Sequence, residues 1–191
     1  MTRPLLAITY LKHSGTSLIE VLIAMLILSF GMLSLAAMVS FAVQMPKLSG
    51  YRAIAVNLAT AHIDRMRANP IGFGNGGYDK PDSYDGSSTV LKMGTSDTCT
   101  YPACDPASLS TMDAAATNVA VRAQLPAGGV LMTRDNNTGV NSKTDGNLWI
   151  MWQEPDSRTP MHAATSDNCP SDISQNYAST RPRCLYVRFK L

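Results

Sequence analysis

The sequence predicts an α+β chain in which one long, hydrophobic N-terminal α-helix packs on a small antiparallel β-sheet. Three observations support this fold class. Residues 21–43 hold no charged side chain, apolar residues then recur at three- and four-residue spacing up to Met66, and the C-terminal segment alternates between apolar and polar side chains. The predicted boundaries are a basic segment at 1–15, a first helical part at 16–45, an amphipathic second part at 46–70 and a globular domain at 71–191.

The uncharged run is long enough to cross a membrane. Its 23 residues would form about 34 Å of helix, whereas the hydrocarbon core of a bilayer is about 30 Å thick. Arg3 and Lys12 precede it and no acidic residue lies in the first 15 positions, which favours a cytoplasmic N-terminus and export of everything after Val43. The alternatives are an ordinary secretory signal, which would have a shorter apolar stretch, and a plain signal anchor.

Glu20 is the one charge next to this run. It follows Gly15 by five positions in the segment Gly-Thr-Ser-Leu-Ile-Glu. A carboxylate carried to the middle of a membrane costs about 2.5–3.5 kcal/mol. The arrangement resembles the class III signal of type IV pilins and of the pseudopilins of type II secretion. The resemblance implies cleavage between Gly15 and Thr16, N-methylation of Thr16, and pairing of Glu20 with the α-amino group of a neighbouring Thr16 in a filament.

The second part of the helix is predicted to be amphipathic, to contain Pro46, and to end at Asn69-Pro70. Its apolar positions are Leu48, Tyr51, Ile54, Ala55, Leu58, Ala61, Ile63 and Met66. The closing sequence Arg67-Ala68-Asn69-Pro70 resembles the stalk helix of minor pilins of the PilV group. That resemblance implies as partners a prepilin peptidase that is also a methyltransferase, other minor and major pilins, and the inner membrane.

In the globular domain, residues 71–98 are predicted to form a loop region. A helix should begin at Pro106, capped by Asp105, and end before Pro126. Its expected apolar face consists of Leu109, Met112, Ala116, Val119 and Ala123. Three strands are predicted at 130–134, 147–154 and 185–191, with the second one central and the third half-buried against the long helix.

Four cysteines in an exported domain indicate disulfide bonds. Three pairings are possible, and proximity in sequence favours Cys99–Cys104 and Cys169–Cys184. The second pair also resembles the C-terminal disulfide loop of pilins. The cysteine spacing is not that of a zinc site, so no metal is expected.

No catalytic constellation or phosphate-binding loop is recognisable, so we predict that the chain is not an enzyme and needs no cofactor. Asp79, Asp82 and Asp85 lack the spacing of a calcium loop and are interpreted as turn residues. Trp149 and Trp152 are interpreted as core residues rather than as a ligand groove.

A nucleic-acid partner is not expected from the charge balance. Beyond Gly15 the chain has 14 Lys and Arg (16 less Arg3 and Lys12) against 14 Asp and Glu. Basic residues do gather near the C-terminus, where they are interpreted as a solvated edge: Arg181, Arg183, Arg188 and Lys190.

The resemblance implies a minor, PilV-like type IV pilin that supports pilus assembly or priming, adhesion and twitching motility. Before assembly it would be a single-pass inner-membrane protein, and afterwards part of a periplasmic or extracellular pilus. The alternatives are a minor pseudopilin of a type II secretion system, an adhesin or a DNA receptor on a pilin stalk.

Overall fold

The computed structural model describes residue 15 and residues 17–137, 139–154, 167–177 and 182–191. Its first element is helix α1, Leu18–Ala68, which is 51 residues long and contains Pro46. Glu20 lies in the first turn, while Arg65 and Arg67 lie in the last turn, where cationic side chains complement the helix dipole. The long apolar N-terminal helix and its end before Asn69-Pro70 are as the sequence predicts.

The chain separates into two compact units, residues 1–46 and residues 47–191. In the first, every described side chain from Leu18 to Val43 is exposed except that of Phe41, which is half-buried. The second unit contains the rest of α1, the sheet and the remaining helices. Among the described residues, every buried core residue lies in this second unit.

The segment after α1 is more ordered than the predicted loop at 71–98. Residues Pro70–Gly74 form a short helix, α2, because Pro70 occupies its first turn and the Asn69 side chain accepts a hydrogen bond from the Gly72 N–H. A short 3-10 helix spans Thr95–Asp97. Helix α3 spans Pro106–Gln124, and Asp105 caps it by accepting from the Ser108 N–H, as predicted.

The sheet has three antiparallel strands: β1, Gly129–Asn137; β2, Val140–Trp152; and β3, Arg183–Lys190. Strand β2 is central, in the order β1-β2-β3, which confirms the prediction for 147–154. Strand β1 ends three positions later than predicted and β2 begins seven positions earlier, because a hairpin through Gly139 extends their pairing. Strand β3 begins two positions earlier than predicted, and its Arg183 and Cys184 pair with Trp152 and Met151. A further helix, α4, spans Ser171–Asn176.

The main core lies between one face of the sheet and the second part of α1. Its largest residues include Met66, Phe73, Leu148, Ile150 and Trp152. Successive side chains of a strand point to opposite faces, so the neighbouring positions of β2 belong to the other face. There Met151 joins a smaller cluster with Tyr84, Ile173 and Cys184.

The predicted apolar face of α3 is wrong. The residues that α3 buries are Ser110, Asp113, Thr117, Val121 and Arg122, whereas Ala123 is exposed and the other four predicted positions are only half-buried. A related difference occurs on α1, where Ala61 is exposed and His62 is buried. These polar side chains are buried with hydrogen-bond partners, which removes the penalty for taking them out of water. Thr117 bonds His62 across the two helices, whereas Arg122 donates to backbone carbonyls of other segments.

Candidate functional site

The N-terminal segment presents the predicted processing and assembly residues in a simple geometry. Gly15 and Ser17 precede α1, and the Ser17 carbonyl accepts the first helical hydrogen bonds, from the Glu20 N–H at 2.9 Å and the Val21 N–H at 3.3 Å. Glu20 is exposed in the first turn. Thr16, the predicted methylation site, lies outside the described residues.

Large apolar side chains cover this part of α1 on all sides. Leu18 is 79% exposed and Leu33 is 67% exposed, and the same holds for their neighbours on every face. Exposed apolar surface on this scale marks a site for membrane or protein contact. By length and composition, α1 is the one described helix that could cross a membrane.

Asn69 ties the end of α1 to two other elements. Its side-chain amide donates to the Pro106 carbonyl at 2.8 Å and to the Tyr78 hydroxyl at 3.3 Å, while its oxygen caps α2. The residue is only 5% exposed. In the Arg67-Ala68-Asn69-Pro70 segment, Asn69 therefore fixes the start of α3 against the end of α1, a role that its sequence position alone did not reveal.

A buried polar network connects α1 with α3 around Thr117. The Thr117 hydroxyl donates to the Asp113 carbonyl at 2.7 Å, accepts from Arg65 Nη1 at 3.0 Å and lies 2.8 Å from His62 Nδ1. Since a hydroxyl has a single hydrogen, His62 must donate from Nδ1, which fixes its tautomer. Burial, with a smaller contribution from the Arg65 charge, lowers the pKa of His62 to about 4.

Tyr78 extends the network to a buried carboxylate. Its hydroxyl donates to Asp113 Oδ2 at 2.6 Å, and its ring meets His62 edge-on with the centroids 5.9 Å apart. Burial raises the pKa of Tyr78, and the hydrogen bond to Asp113 raises it further. The phenol therefore stays protonated and keeps the Asp113 carboxylate hydrogen-bonded.

Both disulfide bonds are present, and they are the pairs that proximity in sequence favoured: Cys99–Cys104 and Cys169–Cys184. The second closes a 15-residue separation, a cross-link worth about 3 kcal/mol on the chain-entropy model. It joins the segment before α4 to β3.

The basic residues near the C-terminus are largely paired. Arg183 lies 2.9 Å from Asp167 and 3.5 Å from Glu154, and Arg188 donates to Asp135 through Nε and Nη2. Arg181 lies outside the described residues. The described part of this cluster therefore does not present a stripe of uncompensated positive charge.

Two of the three aspartates of the 79–85 segment form the local hydrogen bonds that turns require, whereas the interpretation of Asp79 as a turn residue is wrong because it pairs with β1. Asp82 accepts from the Tyr84 N–H and Asp85 from the Ser87 N–H, each two residues ahead. Asp79 binds the Arg134 guanidinium at 2.7 Å. Among the described residues, no group of three His, Cys, Asp or Glu side chains is arranged to hold a metal ion.

The two tryptophans differ in their surroundings. Trp152 is 1% exposed in the main core, as predicted. Trp149 is only half-buried, on the opposite face of the sheet, where Nε1 donates to the Asn168 carbonyl at 2.9 Å. Its position on β2, odd-numbered against the even-numbered core residues, was a signal that the sequence already contained.

Comparisons with protein-family models, with curated proteins and with solved structures found no match to this chain.

Proposed function

We propose that this chain is a minor pilin of a type IV pilus, of the PilV group. The observation that carries the proposal is the combination of Gly15, Glu20 in the first helical turn, and an exposed apolar helix surface from Leu18 to Val43. Under this hypothesis, a prepilin peptidase cleaves between Gly15 and Thr16 and methylates the new N-terminus. The mature chain then remains in the inner membrane until it assembles with other pilins.

The role of Glu20 follows from electrostatics. A carboxylate in an apolar environment is costly unless an opposite charge and hydrogen-bond donors accompany it. In a filament of apolar helices, the α-amino group of a neighbouring Thr16 would supply that charge. The charge pair would therefore form, and stabilise the contact between subunits, only when the two N-termini are in register. In this way the pair would select the assembly geometry.

The exported domain has a different part in this proposal. Its disulfide-linked C-terminal segment and its loops would face the periplasm and, after assembly, the exterior of the pilus. The protein would act with other minor pilins to prime assembly, and adhesion and twitching motility would depend on it through the pilus.

The processing step is tested by the intact mass and N-terminal sequence of the membrane-extracted full chain, produced with and without prepilin peptidase. We expect a chain that begins at Thr16 only when the peptidase is present, and no cleavage of Gly15→Ala. Cleavage at another position, or an uncleaved wild-type chain in both strains, would refute the proposal.

The assembly step is tested by replacing Glu20 and comparing incorporation into sheared pili. Glu20→Gln should be cleaved normally but incorporated poorly, because the amide keeps the size of the side chain and loses its charge. Asp64→Asn is the matched control, since Asp64 is an exposed acidic residue on the same helix and pairs only with the exposed Arg67 in the described structure. Equal incorporation of the Glu20 variant and the control would contradict the charge-pair argument.

A further inference from the structure

The face of the sheet opposite the main core carries an aromatic and polar surface patch that the filament proposal does not use. We define the sheet patch as Asp135, Asn147, Trp149, Tyr186 and Arg188. Strand pairing places Asn147 beside Arg188 and Trp149 beside Tyr186, so the patch consists of adjacent cross-strand rows. Tyr186 is 36% exposed, and the Arg188 side chain is 67% exposed.

The aromatic row has an apolar body with fixed polar ends. The rings of Trp149 and Tyr186 lie 5.1 Å apart between centroids, with 31° between their planes. The Tyr186 hydroxyl donates to Asn147 Oδ1 at 2.7 Å, and the indole of Trp149 donates to the Asn168 carbonyl. These bonds hold both rings in place, which lowers the entropic cost of using them in binding.

The polar row is preorganised in the same way and keeps spare hydrogen-bonding capacity. Asn147 Nδ2 donates to Asp135, and Arg188 donates to the same carboxylate at 3.1 Å and 2.6 Å. An amide can make about four hydrogen bonds and a guanidinium five. Within the described structure, Asn147 therefore keeps one donor and one acceptor site, and Arg188 keeps its Nη1 donors.

The charge of the patch indicates which class of ligand it fits. Asp135 neutralises Arg188, so an anion would find no net positive charge, and a cation would find its carboxylate already occupied. A neutral ligand that offers both donors and acceptors beside an apolar surface matches the spare groups. Sugars have this chemistry, because hydroxyls surround a ring whose C–H groups pack on aromatic side chains.

We propose that the sheet patch binds a neutral sugar ring, with the exposed Tyr186 contacting its C–H face, Trp149 supporting Tyr186 from its position against the smaller buried cluster, and Asn147 and Arg188 bonding the sugar hydroxyls. The proposed occupant is thus a neutral glycan rather than a nucleic acid or an acidic polysaccharide. Binding requires only the sheet of the second unit and not a filament. Sugar binding can therefore be tested independently of pilin assembly.

The test uses the full chain, solubilised in a zwitterionic detergent without a sugar headgroup, on an array of neutral, sialylated and sulfated glycans. The preferred neutral oligosaccharide is then titrated by calorimetry up to about 10 mM. We expect binding of neutral glycans, with no gain from added sulfate or sialic acid. Failure to bind any neutral glycan, or preference for sulfated glycans or single-stranded DNA, would overturn the proposal.

Variants then locate the site. Tyr186→Ala should weaken binding by about tenfold, the amount that corresponds to a lost aromatic contact, and Arg188→Ala should weaken it as well. Tyr101→Ala is the matched control, since Tyr101 is 90% exposed outside the sheet, and it should bind as the wild type does. Circular dichroism of each variant checks that it is folded. Tyr186→Phe removes only the hydroxyl and keeps the ring, so it should weaken binding less than Tyr186→Ala does. Unchanged affinity of folded Tyr186→Ala would refute the assignment.

Discussion

His62 should make the unit of residues 47–191 sensitive to mild acid. The imidazole is 2% exposed, and its pKa is lowered to about 4 by burial and by the Arg65 charge. In an unfolded chain, the pKa of histidine is about 6.5. As the pH falls, the unfolded state therefore takes up the proton first. The stability that neutral His62 provides is complete above pH 6.5 and is lost as the pH falls toward 4.

The size of this effect follows from proton linkage. With these two pKa values, the free energy of unfolding should fall by about 2 kcal/mol at pH 5 and by about 3 kcal/mol at pH 4, relative to pH 7.5. Carboxylates also titrate in this range, so the contribution of His62 has to be isolated by a variant. His62→Asn is suitable because an Asn amide can still donate to Thr117 from near the Nδ1 position but has no titrating group.

The assay is urea unfolding of the full chain in detergent between pH 7.5 and 4. Unfolding is followed by tryptophan fluorescence, which should change when the buried Trp152 becomes exposed. His62→Asn should be less stable at pH 7.5 because it leaves a small cavity, and its stability should decline less toward acid pH than that of the wild type. Ala61→Asn, which introduces the same residue at the exposed neighbouring position of α1, should keep the wild-type pH profile. Parallel profiles for the wild type and His62→Asn would refute the conclusion that His62 is held neutral.

Two other substitutions test packing in the same unit. Tyr78→Phe should lower the free energy of unfolding by about 1–3 kcal/mol, because it leaves a buried carboxylate without its hydroxyl donor. Tyr101→Phe in an exposed loop should have no effect. Equal free energies of the two variants in urea unfolding would contradict a stabilising role of the Tyr78–Asp113 hydrogen bond. Gly129→Ala should cost about 1–3 kcal/mol, since a Cβ there would lie 2.6 Å from the Cα of Tyr84. Gly50→Ala in α1, where a Cβ meets nothing within 4 Å, should be neutral or stabilising, and a thermal melt that ranks the two glycine variants equally would refute the packing argument.

The elements that the sequence predicted well are those whose signals are local. The end of α1 is set by Asn69-Pro70, and the start of α3 by Asp105-Pro106, because capping and proline geometry act over a few residues. The alternation in β3 likewise reports its two faces directly.

The elements that the sequence could not predict depend on distant partners. The pattern of apolar residues on α3 pointed to the wrong face, because the helix meets His62 and Arg65 of α1 rather than an apolar surface. Helix α2 forms in a glycine-rich segment because Asn69 caps it. The sheet patch depends on strand register, since Trp149 becomes a neighbour of Tyr186 only when β2 pairs with β3. Glu20 stands out in the sequence as the charge beside the apolar run, whereas Gly15 and Thr16 were singled out through the resemblance, and the roles of all three stay predictions.

The two units differ in which side chains are exposed to solvent and which are buried, and this difference bears on the proposed function. In residues 47–191, charges that leave water are compensated within the chain: Arg122 is 5% exposed and binds the Gly128 carbonyl at 2.8 Å and Asp85 at 2.9 Å. In residues 18–43 the apolar side chains remain exposed beside the carboxylate of Glu20. Apolar area gains about 25 cal/mol per Å² when it leaves water. Covering this surface with lipid or other apolar helices would therefore stabilise the helix. In the proposed filament, Glu20 would need a cation from outside its own apolar segment, and a neighbouring N-terminus would supply it.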